Sequence, residues 1–291
     1  MKKTIKNLIK GLILLFVFLS DVFAQSSAFF DLPEKKNIDN TKAIVTYLLE
    51  YHSDSTNLDD KRAEEVILFI GNSHSLFISY NRARNDSLLE ETARKMKNNP
   101  SDIQNLFSYY TTSSNPSRFN FEIFKNHEEN LLTFIDRIWT DHYSYTNQMN
   151  NLNWQIAPDS TKKVLGYSVQ KAFTRYGGRK WEAWFSPDIP INDGPYIFHG
   201  LPGLIIQIYD TKNHYRFNLV GIEVPENERP IQLNLYDNLI HTTHKNLNRA
   251  QENFRQSFII HAQDAQLVPE SQRIAAENMR RRNNPIELRV E

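Results

Sequence analysis

Apolar and polar residues alternate along much of this chain. Val45, Tyr47, Leu49 and Tyr51 fall at every second position, the period of a half-buried strand. Glu65 to Ile70 and Leu76 to Tyr80 are strand-like runs on either side of Gly71-Asn72-Ser73, which predicts a hairpin. The period then changes. Ser87 and Glu90 have the spacing of a capping box, and Leu88, Leu89, Thr92 and Met96 follow at helical intervals before Pro100, so a helix is predicted over Ser87–Lys97. Phe119, Phe121 and Ile123 return to alternation, Lys125 to Asn130 turns the chain, and Leu131 to Ile138 reads as a further strand.

The densest strand signal runs from Asn153 to Val224. Trp154 and Ile156 precede the turn cluster Pro158-Asp159-Ser160, and Val164 to Arg175 is one long run rich in β-branched and aromatic residues. Gly177-Gly178 turns that run and Lys180 to Phe185 returns; Leu204 to Tyr209 and Tyr215 to Val220 pair around Asp210 to His214. Turns this short permit antiparallel pairing, whereas parallel neighbours need a long crossover. The expected fold is β-dominated α+β, a meandering antiparallel sheet of about nine to eleven strands. By analogy of pattern alone it is drawn as an open half-barrel like the periplasmic lipoprotein carriers. Leu247, Ala250, Phe254 and Phe258 predict a covering C-terminal helix over Asn246–Ala262. The end of the chain, Glu277 to Glu291, is charged and polar and reads as loosely held.

The first residues change the picture of where the protein works. MKKTIKNLIK carries four lysines and no acid, the apolar run Gly11 to Leu19 follows, and Ala24 stands two positions after Val22, the order of a secretory signal peptide. The run is too short to span a bilayer, and no later segment of the mature chain supplies a transmembrane stretch. The organisation expected is a signal peptide over 1–24, one β-rich domain over 25–265 and a polar tail over 266–291, with the product periplasmic or secreted. Across the whole chain 34 Lys and Arg balance 34 Asp and Glu, which argues against nucleic acid as a partner. There is no cysteine, which excludes disulfides, thiol nucleophiles and thiolate zinc sites.

One segment is compositionally distinct. Trp181 to Asp210 holds four of the twelve prolines and three of the nine glycines. Within it Leu201-Pro202-Gly203-Leu204 has Pro and Gly at the central positions of a type II turn. Gly200-Leu201-Pro202-Gly203-Leu204-Ile205 is, letter for letter, the hexapeptide for which the exported GLPGLI family of Gram-negative bacteria is named, and the chain resembles that family. Gly166-Tyr167, Gln170-Lys171-Ala172, Gly178-Arg179, Trp181, Ala183-Trp184-Phe185, Ile189-Pro190-Ile191 and Asp193-Gly194-Pro195 follow in the family's order, and Asn284-Pro285-Ile286-Glu287-Leu288 looks like its C-terminal end. Ser168 departs from it, standing where relatives commonly carry a cysteine. The resemblance implies no established reaction, ligand, cofactor or catalytic residue.

The residues themselves offer few chemistries. His241 and His244 have i, i+3 spacing, with His199 and His214 elsewhere, but no carboxylate is spaced to complete a metal site. Gly71-Asn72-Ser73-His74-Ser75 lacks the second glycine of a nucleophile elbow. Asp188 and Asp193 flank a Pro-rich loop at a spacing open to acid/base work or to turn capping. No catalytic residue, metal or cofactor is therefore assigned. Arg179, Trp181, Trp184, Tyr196 and Phe198 cluster around the turn-rich segment and are the candidate lining of a binding cleft, with Arg179 and Trp181 on one strand face and Trp184 on the other. The function expected is a non-catalytic binding or carrier protein for an apolar or amphipathic ligand, a lipid or a peptide. The alternatives are an exported hydrolase with its site in the 188–199 loop, or an accessory partner of an outer-membrane receptor or transporter.

Overall fold

A computed structural model describes residues 32–149, 152–264 and 269–289. The expected signal peptide lies outside the described residues. The described residues divide into two units, the smaller containing Asn85–Ser114 and the larger Lys35–Arg84 with those that follow Ser114.

The larger unit is a sheet of twelve strands, in chain order β2 (Ala43–His52), β3 (Lys61–Ile70), β4 (His74–Ser79), β5 (Glu122–Asn126), β6 (Leu131–Ile138), β7 (Asp141–Gln148), β8 (Gln155–Val164), β9 (Tyr167–Tyr176), β10 (Arg179–Ser186), β11 (Leu204–Asp210), β12 (Tyr215–Glu223) and β14 (Leu239–His241). Their spatial order is β14-β7-β6-β5-β4-β3-β2-β12-β11-β10-β9-β8, so the sheet is open and does not close into a barrel. The pairings are antiparallel except the short β14–β7 contact. A second, two-stranded sheet joins β1 (Glu34–Asn40) to β13 (Pro230–Leu235). The architecture is the expected one, with more strands than the nine to eleven read from the sequence.

Period-2 alternation sorts side chains between the two faces. Val45, Tyr47 and Leu49, with Val66, Leu68, Phe77, Phe217 and Leu219, belong to the main core, while Ile44, Ile67, Phe69, Leu76 and Ile78 form a separate cluster on the opposite face. Ile231 belongs to that second cluster, and Ile38 and Leu233 of the β1–β13 pair pack against it.

Two local readings are corrected. Val164 to Arg175 is not one strand: Leu165 and Gly166 take positive φ (51° and 86°) and turn β8 back into β9. Pro158 sits in β8 at a break in register between Ala157 and Thr161, a bulge rather than a turn, because proline has no N–H to give the ladder.

Helices are α1 (Tyr80–Asn98), α2 (Ile103–Ser113), α3 (His244–Asp264) and α4 (Pro269–Arg280). The expected Ser87–Lys97 and Asn246–Ala262 helices lie within α1 and α3; α2 and α4 were not read from the pattern. In the smaller unit the two helices meet through Lys95, whose ammonium lies 5.5 Å from the Tyr109 ring centroid. Helix α3 lies by β6 and β7, with Gln251 donating to Asp136 at 2.6 Å and Phe254 against Trp139 at 6.1 Å. None of the described helices is long and apolar enough to cross a membrane.

Candidate functional site

The Pro/Gly segment after β10 is built around one buried carboxylate. Asp193 accepts from the Lys125 ammonium at 2.5 Å, from Ser75 at 2.6 Å and from the Gly194 N–H at 2.7 Å, with His127 Nε2 at 3.3 Å. Lys125 also donates to the Gly194 and Phe198 carbonyls at 2.8 and 3.4 Å. Ser75 and Lys125 are cross-strand partners on β4 and β5, so adjacent strands present the hydroxyl and the ammonium together. Burial alone would raise the Asp193 pKa, but Lys125 and His127 outweigh it and hold the group well below the usual carboxylate range. Both charged groups are shut away from solvent. This is a clamp that seats the loop, not an accessible nucleophile site.

The loop returns to the sheet through Leu204 N–H to Ile189 O, Ile205 N–H to Asp193 O and the Tyr47 hydroxyl to Ile205 O. The turn differs from the type II geometry read from the sequence. Gly203 N–H donates to Leu201 O at 2.8 Å, a tighter turn around Pro202, and Gly203 takes φ 150°. A Cβ there would lie 2.1 Å from the Ser186 carbonyl oxygen, so the position accepts glycine only.

The C-terminal segment, read from sequence as loose, is firmly docked. Asn284 donates to His52 O at 2.7 Å, Leu288 N–H donates to Gly177 O at 2.7 Å, and Tyr215 donates to Asn284 O at 2.6 Å. Arg179 grips it through the Asn284 side chain (2.7 Å) and the carbonyls of Pro285 (2.6 Å) and Ile286 (2.8 Å), while pairing with Asp210 at 3.0 Å. Asn284 and Glu287 are polar for this hydrogen bonding, while Arg281, Arg282, Asn283 and Arg289 are exposed. Gly177 leaves room for it: a Cβ there would come within 2.9 Å of Glu287.

Glu287 is the centre of a second cluster. Its carboxylate accepts from Tyr196 and from Tyr176 (3.3 Å), and His244 Nε2 lies 2.9 Å away. Tyr145 stacks on His244 with ring centroids 4.7 Å apart. Burial, reinforced by the Glu287 charge, holds the Tyr145 and Tyr196 phenols well above their usual range, so both keep their protons. Beside this cluster lies a pocket. Tyr145, Tyr176, His199 and His244 line it with Leu132, Leu152 and Ile197, and the exposed carboxamides Asn147 and Gln148 stand at its edge. His199 has Nδ1 2.8 Å from Ile197 O, and burial together with the Lys125 charge lowers its pKa, so the ring stays neutral and presents Nε2 as an acceptor.

The five residues read from sequence as a cleft lining are placed differently. Trp181, Tyr196 and Phe198 are buried and pack together, with Trp181 and Phe198 centroids 4.7 Å apart. Arg179 is buried in the grip on the tail. Trp184 is on the opposite face, as strand alternation predicts, under Lys162 and Lys171. Tyr196 meets the cluster beside the pocket through Glu287, while Trp181 and Phe198 lie behind the pocket-lining Tyr176, Trp181 donating to its carbonyl at 3.1 Å. Asp188 is exposed and accepts from Ser168 N–H, so it does not pair with Asp193. His241 is bonded to Ser144 and His244 faces Glu287, so the two do not share a partner. Tyr145, Tyr176, Glu287 and Lys125 were missed, since each comes from a different element. The one visible signal was the tail motif containing Glu287.

A family model described as a protein of unknown function (Porph_ging) matches residues 176–207, from the end of β9 into β11. This is consistent with a small uncharacterised bacterial family. No curated protein matches the chain. Among solved structures, PNGF-II in a P21 crystal is similar, with TM-score 0.50 and 12% identity over 75% of this chain and 34% of that one. PNGF-II in a C2 crystal gives TM-score 0.48 and 12% identity over 74% and 33%. The chain thus spans about a third of the length of PNGF-II, and the likeness in the first crystal form is one of fold.

Proposed function

We propose that this chain is an exported cell-envelope protein of the GLPGLI kind that works as a non-catalytic binding protein, taking a small amphipathic ligand such as the end of a peptide in the pocket beside Glu287. The observation that carries the reading is convergence: β6, β7, β9, the motif loop, the start of α3 and, behind His244, the tail bring apolar, aromatic, imidazole and carboxamide groups to one place. Pockets for small ligands combine an apolar lining with a few oriented polar groups in this way. The space around Trp181 and Phe198 is filled by those buried side chains themselves, which leaves the pocket as the place for a ligand. Export rests on the order of charge and hydrophobicity in the first 24 residues.

Isothermal titration of the mature protein with fractionated cell-envelope peptides tests the binding. Saturable heat is expected from at least one fraction, reduced several-fold by Asn147→Ala with Gln148→Ala, two exposed positions whose truncation leaves the core intact. Equal binding by the double variant would remove the pocket from the reading. Sequencing of the exported protein is expected to start near Gln25; an intact Met1 would remove export.

A further inference from the structure

The sheet face opposite the main core is covered at one half only. Toward β2–β6 it carries the second apolar cluster under β1 and β13, while across β8–β12 it carries charge. Arg175 on β9 and Lys180 on β10 are direct cross-strand partners, both exposed. Lys162 and Lys171 share one indole, their ammonium groups 3.9 and 4.7 Å from the Trp184 ring centroid. Arg216 stacks on Tyr209 at 4.1 Å. Against these five cations stand Glu182, which pairs with Lys171 at 3.1 Å, and Glu50 on the neighbouring β2, in register with Arg216. Among the described residues Lys171 is the one member of the five with a carboxylate within ion-pair distance.

Like charges directly opposite on a sheet are destabilising, as Arg175 and Lys180 are, and the crowded ammonium groups of Lys162 and Lys171 are offset only in part by Glu182 and the Trp184 ring. Burial lowers the Lys162 pKa, Glu182 opposes that, and Lys171 and Arg216 add to the lowering. A bound anion would relieve both pairs. The balanced charge of the whole chain conceals this patch.

We propose that the β8–β12 face is a binding site for an acidic polysaccharide, a polymer of uronic-acid type carrying one carboxylate per rigid ring. Charge complementarity selects an anion. Phe173, exposed, lies in register with Glu182, Glu182 with Tyr209 and Tyr209 with Arg216, so one row across neighbouring strands about 4.8 Å apart holds two aromatic rings and a cation around a single carboxylate. Sugar C–H faces stack on such rings, and rigid ring units lose less freedom on a flat face than flexible acidic side chains do. The site is separate from the pocket beside Glu287 and does not depend on it.

Affinity electrophoresis of the mature protein in gels containing polygalacturonate tests the proposal, with dextran as the neutral control. Retardation is expected with polygalacturonate alone, weakening as salt is raised. The set Lys162→Gln, Lys171→Gln, Arg175→Gln and Lys180→Gln is expected to weaken binding by about tenfold or more at an unchanged melting temperature. Phe173→Ala keeps every charge and is expected to weaken polygalacturonate binding without changing retardation by polyglutamate. No retardation of the wild type, or equal retardation of the four-fold variant, would overturn the proposal. So would tighter binding to polyglutamate or to phosphatidylglycerol vesicles than to polygalacturonate.

Discussion

At position 203 a methyl group has nowhere to go. The Ser186 carbonyl would stand 2.1 Å from it and the backbone φ of 150° is a glycine conformation, so Gly203→Ala meets steric and torsional resistance together. A loss of roughly 2–4 kcal/mol is expected in urea denaturation, with a lowered melting temperature. An unchanged midpoint would show that the loop re-forms without this contact. Sequence alone locates the need for glycine here, from Pro202-Gly203, but names the wrong turn, because the Ser186 backbone that crowds the site comes from the preceding strand end. Lys125 poses the opposite problem. Nothing local distinguishes it from a solvated turn lysine, yet it is fully buried against Asp193. Removing one charge strands the other, so Lys125→Met is expected to cost roughly 3–5 kcal/mol, and Lys125→Met with Asp193→Asn less than the two single losses added. A double-mutant cycle with no coupling would contradict the clamp.

Among elements, the strands were legible and the docked tail was not. Strand alternation is a local signal with one period that β2 and β12 follow over most of their length, while β3, β6 and β11 show as apolar runs buried on both faces. The tail's partners Arg179, Tyr176, Tyr196 and His52 lie 91 or more positions away, so its polar residues look solvated until the fold brings the acceptors and donors together. The same distance concealed the pocket: Tyr145 and His244 meet only because α3 starts beside β7. Arg179→Gln withdraws hydrogen bonds to three tail residues and leaves Asp210 buried without its partner. Limited proteolysis is expected to cleave this variant within 281–291 much faster than the wild type, together with a drop in stability of about 3 kcal/mol. If the tail stays protected, Leu288 and Glu287 hold it without Arg179.

For the whole molecule, the half-buried histidines set how stability responds to acid. His142 stacks on Tyr236 with centroids 3.7 Å apart, and burial, helped by the nearby Arg82 and Arg137 and opposed by Glu122 and Asp141, lowers its pKa to about 4. His199 and His214 are lowered as well, chiefly by burial. A folded-state pKa below the ordinary 6.5 means that the unfolded chain binds the proton first. The stabilising contribution of His142 is therefore full above about pH 6.5 and is lost as pH falls toward about 4. Asp136 works in the other direction, since burial raises its pKa and protonation relieves it. Asp193, held low, adds its loss only at more acidic pH. The midpoint of urea denaturation is thus expected to fall steadily between pH 6.5 and 4. His142→Phe keeps a ring against Tyr236 but carries no proton, so it should flatten that slope while leaving the steeper loss at lower pH in place. A slope unchanged in His142→Phe would assign the acid response to His199 and His214 instead, and with it to the motif loop and the turn between β11 and β12.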